Sequence, residues 1–181
     1  LEKILKEFRK SIPESVPFTL KMRAGFKCVN AVDIAKLAQD CGVDAITIHP
    51  RLQTQMFAGQ PNYQVAAMVK KAVEIPVFFS GNVVNFKTAK LTYDQTGVDG
   101  FLIGRGMWAK PWKLEEMRAH SLGEEYIVSP SMILKVALRH LELMVAQYGM
   151  HGLFRFRKNL PFYIKGHPSA SELRQRLVRS D

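Results

Sequence analysis

The sequence predicts an α/β fold of parallel βαβ units followed by a small all-helical domain, and three observations carry that expectation. Up to residue 112, short strand-like apolar runs alternate with segments of helical periodicity. Gly-Val-Asp recurs at the same helix-to-strand joint in "DCGVDAITIH" (40–49) and "QTGVDGFLIG" (95–104), 55 residues apart. That is the length of two βα units of a barrel built from repeats. Beyond Trp112 the strand-like runs stop and only helical patterns remain. The predicted architecture is therefore a partial (β/α)8 barrel over residues 1–122 with a helical domain over 123–181, divided where "SLGEEYIVS" loses periodicity.

Each element has its own signal. "LEKILKEFRK" places Leu1, Ile4, Leu5 and Phe8 at helical spacing, and Pro13 and Pro17 end that helix before the strand "VPFTLKM". Asn30 is placed to cap "AVDIAKLAQDC", Gly42 stops it, and "DAITIH" is the next strand. "NYQVAAMVKKAV" reads as a helix, "IPVFFS" as a strand, "NFKTAKLTYDQT" as a helix ended by Gly97, and "DGFLIG" as the last strand. Ser129-Pro130 opens "SMILKVALRHLELMVAQY", with Ile133, Ala137, Leu141, Met144 and Val145 as its apolar positions and Gly149 as its stop. "FRFRKNLPFYIKG" is a second helical element, bent or broken at Pro161, and Ser169-Ala-Ser-Glu172 is a capping box opening a basic terminal helix.

Composition narrows the class of protein. With 47% hydrophobic and 23% charged residues, the chain can bury a core. No apolar run reaches the roughly 18 residues a membrane span needs, and the first ten residues are too charged for a signal peptide. Cys28 and Cys41 form neither a disulfide framework nor a metal-ligand spacing, so a cytoplasmic protein with free thiols and no metal is expected. The chain opens on Leu1 rather than Met, which points to a fragment. Its net charge of +10 is uneven: residues 151–181 hold seven basic groups against two acidic ones, whereas 113–150 carry a net of −1. A basic end suggests a polyanionic partner, with nucleic acid the first candidate and a solvated basic face the alternative.

In a parallel barrel, function collects at the carboxyl ends of the strands. Those ends read Lys21 with Arg23, His49 with Arg51, Ser80-Gly81-Asn82, and Gly104-Arg105-Gly106. The last tripeptide fits two readings. It is an ordinary glycine turn beside a solvated arginine, or it is a phosphate site where glycines allow close approach and the guanidinium and the next helix meet the charge. The loops after the last two strands of a barrel commonly bind phosphate, which favours the second. Taken singly, Lys21 fits a snorkelling lysine and His49 a structural histidine; together they suit an anionic or carbonyl-rich ligand such as a flavin. His120, His140, His151 and His167 are scattered, and Ser80 has no base at a suggestive spacing, so neither a metal hydrolase nor a serine triad is indicated.

These motifs resemble the tRNA-dihydrouridine synthase family. "LKMRAG" looks like its Lys-x-Arg strand, "ITIHPRLQTQMFAGQPNY" like its His-x-Arg segment, and "FLIGRGMWAKPW" like its Ile-Gly-Arg-Gly segment. "HLELMVAQYG" and "FRKNLPFYIKGHPSASELRQRL" are similar to its helical tRNA-binding domain, so the resemblance runs from about residue 17 to 178. It implies the last four βα units of an FMN-binding catalytic barrel. The activity implied is reduction of uridine in tRNA to 5,6-dihydrouridine, with NADPH as reductant and the base flipped out of its stack. By position, Lys21 and His49 would hydrogen-bond the isoalloxazine, while Gly81, Asn82, Gly104, Arg105 and Gly106 would hold the phosphate end. Arg51 and Gln55 would approach substrate or flavin, and Arg155, Arg157, Lys158 and Lys165 would meet tRNA phosphates.

Two departures from the family pattern stand out. Ser80-Gly81-Asn82 replaces the usual Asn-Gly-Asp, and no Gly-Cys-Pro motif supplies the general acid; Cys28 and Cys41 cannot take that role by position. No catalytic residue is therefore assigned within this chain. Four βα units would also expose two sheet edges, so aggregation or dimerisation is expected of them alone. Two other readings remain open: a non-catalytic RNA-binding module derived from such an enzyme, and a different barrel flavoprotein acting on a small molecule.

Overall fold

The structure, a computed structural model, describes the backbone of residues 1–179 and side chains as far as Arg176. The side chain of Arg179 and all of Asp181, both counted in the basic tail, lie outside the described residues. The chain divides into two compact units, Leu1–Gly106 and a second beginning at Met107.

The first unit alternates helix and strand: α1 (Glu2–Ser11), β1 (Thr19–Gly25), α2 (Ala31–Asp40), β2 (Ala45–Leu52), α3 (Tyr63–Ala72), β3 (Val77–Ser80), α4 (Phe86–Thr96) and β4 (Gly100–Leu102). The strands form one parallel sheet in the order β1-β2-β3-β4. The expected α/β class with parallel strands is therefore present. Strand order equals chain order because each helix returns the chain to the same edge of the growing sheet.

Side chains alternate across each strand, so the sheet has two unlike faces. Ile46, Ile48, Val77 and Phe79 are completely buried, together with Ala31, Ala35 and Ala38 of α2 and Ala66 and Val69 of α3, and Val65 is nearly so. The alanines recur at helical spacing, and their small size lets α2 lie close on the sheet. The alternate positions carry Lys21 and Arg23 on β1, Thr47 and His49 on β2, and Ser80 on β3. Register places Lys21 opposite Thr47 and Arg23 opposite His49, with an irregularity between Arg23 and Gly25.

The Gly-Val-Asp echo has one structural meaning in both copies. Gly42 and Gly97 take positive φ (80° and 64°) just past α2 and α4, where a side chain would be strained. Val43 and Val98 are buried. Asp44 accepts from the Phe18 N–H (2.6 Å) and from Arg9 (3.2 Å); Asp99 accepts from the Val77 N–H and from Lys70, both at 2.7 Å. Each aspartate thus ties its joint to the start of the neighbouring strand.

The local signals meet two exceptions. Asn85 caps α4 by accepting from the Thr88 N–H, but Asn30, although at the start of α2, makes no such bond. On α1 only Leu5 is buried, whereas Leu1, Ile4 and Phe8 are exposed, so periodicity alone did not say which apolar positions find a partner.

The second unit holds α5 (Lys113–Ser121), α6 (Pro130–Tyr148), α7 (Met150–Phe156), α8 (Leu160–Tyr163) and α9 (Ala170–Arg179). Ser129 caps α6 through the Met132 N–H, with Pro130 in the first turn. Ile133, Ala137, Leu141, Met144 and Val145 of α6 are half-buried, while Leu134, Leu138 and Leu143 are exposed. Gly149 turns the chain so that α7 packs back on α6, and Gly152 sits so near the Met144 carbonyl that a Cβ there would collide with it. The segment expected to bend at Pro161 breaks just before it, between α7 and α8. The His140 ring pairs with the Tyr163 hydroxyl at 3.0 Å and meets Phe156 edge-on, and burial raises the Tyr163 pKa.

Candidate functional site

The polar face of the sheet concentrates positive charge. Lys21, Arg23 and His49 lie on that face, and Arg51 and Arg105 follow at or beyond the ends of β2 and β4. Among the described residues, none of these four cations is ion-paired with a carboxylate. Uncompensated cations near one buried ring form a site that favours anions.

Arg51 is the most deeply placed of them, at 1% exposed. Its Nε donates to the Ala58 carbonyl (3.2 Å), and its Nη2 donates to the Gly59 carbonyl (2.6 Å) and to Oδ1 of Asn82 (3.3 Å). Nη1 faces Nε2 of His49 at 3.1 Å. Arg23 works beside it, donating to the carbonyls of Leu52 and Met56. The two guanidiniums thus hold the loop after β2 against the sheet. Gln55 closes the short turn Gln53–Gln55 by accepting from the Leu52 N–H at 2.7 Å.

His49 is 8% exposed, and its pKa is lowered from 6.5 to about 4. Burial is the main cause, followed by the charges of Arg23, Arg51, Lys21 and Arg105. The ring is therefore neutral at pH 7. Gly81 passes beside it at φ +152°, where a Cβ would lie 3.3 Å from Cδ2 of His49 and 3.3 Å from Pro61. Only glycine leaves the ring its present room. Asn82 follows in a left-handed conformation at φ 54°, and its amide donates to Gln60.

Around the Gly104-Arg105-Gly106 segment the structure changes one expectation. Arg105 begins a three-residue 3-10 turn (Arg105–Met107), and the next α-helix starts only at Lys113, so no α-helix N-terminus follows the tripeptide directly. The guanidinium, rather than a helix dipole, is the positive element here. Arg105 is exposed and stacks on the Phe57 ring at 4.7 Å; Arg23 lies 5.9 Å from the same ring and His49 6.3 Å. Nothing surrounds a Cβ placed on Gly104, whereas one on Gly106 would press on Val84 and Ile103 at 3.2 Å. Phe57 is the site residue the sequence did not single out. Its only signal is an aromatic side chain in a loop otherwise short of apolar residues.

In the second unit, Arg155, Lys158 and Lys165 are exposed. Arg155 stacks on Tyr148 at 4.3 Å and Arg157 on Phe154 at 5.1 Å. Among the described residues, no helix is long and apolar enough to cross a membrane, and no three His, Cys, Asp or Glu side chains are grouped to hold a metal ion. Cys28 is exposed and Cys41 buried.

Comparison with known proteins places this chain in a family. The family described as Dihydrouridine synthase (Dus) matches residues 1–180. The tRNA-dihydrouridine synthase B of Xanthomonas campestris is 36% identical over 172 residues, covering 92% of this chain and 52% of that protein. The synthase B of Pseudomonas putida is 32% identical, covering 89% and 49%, and that of Vibrio vulnificus 34% identical, covering 97% and 55%. The chain thus spans about half the length of the curated relatives it matches. Among solved structures, nitroalkane oxidase from Streptomyces ansochromogenes aligns with a TM-score of 0.39 at 14% identity, over 59% of this chain and 31% of that one, too distant to bear on function. A match running from the first residue to the last but one leaves a single assignment: the chain belongs to the dihydrouridine synthase family.

Proposed function

We propose that this chain is part of an FMN-dependent oxidoreductase that reduces uridine in tRNA to 5,6-dihydrouridine at the expense of NADPH. The observation that carries the proposal is the cluster of Lys21, Arg23, Arg51 and Arg105 around a neutral His49, without a carboxylate partner, in a chain of this family. When bound, FMN supplies the hydride, derived from NADPH, for the C5–C6 double bond of uridine.

The donor set fits such a group. Lys21 offers a cation and His49 a hydrogen bond to the carbonyl-rich edge of a flavin ring, where positive charge favours the reduced anionic form. Arg105 meets the phosphate, and Gly81, Asn82, Gly104 and Gly106 form the surrounding backbone, two of them where a side chain would crowd the loop. Arg51 and Gln55 hold the loop after β2 in place beside the substrate. No acid of this chain is assigned to protonate the base.

We read Leu1–Gly106 as four consecutive βα units of a (β/α)8 barrel, supported by the parallel sequential sheet with an unpaired edge at β1 and at β4. Residues 1–122 would belong to the catalytic domain and 123–181 to a helical tRNA-binding domain, where Arg155, Arg157, Lys158 and Lys165 meet phosphates.

FMN binding, followed by quenching of flavin fluorescence, tests the proposal. The full-length protein containing this chain is expected to bind FMN, and Arg105→Ala to weaken binding by tenfold or more, the size of one lost charge-assisted contact of about 1.5–3 kcal/mol. Binding of tRNA by a chain that takes up no FMN would instead favour a non-catalytic RNA-binding module.

A further inference from the structure

We infer that Arg51 is a positioning residue: its contact with Nε2 fixes His49 as the Nδ1–H tautomer, so that His49 presents a hydrogen-bond donor, and never an acceptor, to the ligand of the cationic face. Arginine has no acceptor atoms, so the ring nitrogen 3.1 Å from its Nη1 must offer a lone pair, and the ring hydrogen must sit on Nδ1. Arg51 cannot easily turn away. Ala58, Gly59 and Asn82 accept its other hydrogens, and the side chain is 1% exposed.

The ring is held from other sides too. Gly81 closes on the Cδ2 edge, and the Phe57 ring lies 6.3 Å away. Among the described residues no protein acceptor takes Nδ1–H, and no buried polar side-chain atom is left without a partner, so Nδ1–H remains open to a ligand. The charged groups acting on His49 are Lys21, Arg23, Arg51 and Arg105, every one a cation and a donor. A ligand edge that meets this face must consist of acceptors, as a carbonyl-bearing ring edge does. The tautomer is a property of the chain itself, whereas the identity of the ligand rests on the function proposed above.

Long-range 1H–15N correlation spectra of the histidine rings in the whole chain at pH 7 read the tautomer directly. For His49, Nδ1 is expected in the range of a protonated ring nitrogen and Nε2 in that of a lone-pair nitrogen. Arg51→Met is expected to move the ring toward the Nε2–H form; Arg51→Gln, whose amide oxygen can accept from a ring N–H as no arginine atom can, serves if the first variant does not fold. A hydrogen on Nε2 in the unaltered chain, or a ring left unchanged by the substitution, overturns the role of Arg51. Failure of FMN to bind while the Nδ1–H ring is in place overturns the ligand and leaves the tautomer standing.

Discussion

His49 shows how much one side chain depends on its surroundings. In an unfolded chain it takes up a proton near pH 6.5, but in the folded unit only near pH 4, because burial and four neighbouring cations oppose a fifth charge. Between those values the unfolded state binds more protons, so stability is fully present above pH 6.5 and is lost as pH falls toward 4. The full shift corresponds to about 3 kcal/mol. Urea unfolding at pH 7 and pH 4.5 should show the native chain losing more stability than His49→Gln; equal losses in the two chains would rule out a depressed His49. The residue types at this site were legible in the sequence, but β1 and β2 run on past Lys21 and His49, so these two lie within their strands rather than at the carboxyl ends the sequence suggested. Their partners were not legible. Arg51 is spent on two loop carbonyls, Asn82 and a ring nitrogen, and Gln55 on closing its own turn, contacts that exist only once the loop folds back over β2.

Among the elements, starts and stops were read most directly where the signal is local. Gly42, Gly97 and Ser129-Pro130 act within one turn of their own positions, and the structure uses each as its chemistry suggests. Asn30 and the apolar stripe of α1 show the limit of such signals, because a cap or a stripe is satisfied only by what arrives opposite it. The α6–α7 pair has a feature no local pattern announces, the approach of Gly152 to the Met144 carbonyl. Gly152→Ala must push the two helices apart, at a cost of about 1–3 kcal/mol. A lowered melting temperature with unchanged helix content by circular dichroism is the expected result, and a variant as stable as the native chain would contradict the close approach.

Across the whole molecule, positive charge is the property with the widest consequence. The excess of +10 includes a cationic sheet face and a basic tail, so the tRNA binding proposed above should weaken steeply with salt. Replacing Lys158 and Lys165 together by alanine is expected to reduce the slope of log K against log salt by about 2, one unit for each lost phosphate contact, while FMN binding stays unchanged. An unaltered slope would place the nucleic acid elsewhere. By itself the sequence determined the alternation of strands and helices, most of their ends, the repeated glycine-to-aspartate joint and the placement of cations near strand ends. These follow from backbone sterics and side-chain periodicity, which act over a few residues. Only the tertiary structure decided that the cations stand without carboxylates, that Arg51 turns inward to His49 and that Phe57 lies under Arg105. Strand pairing and loop closure bring together residues tens of positions apart, and no local rule states which of two equivalent cations will be buried.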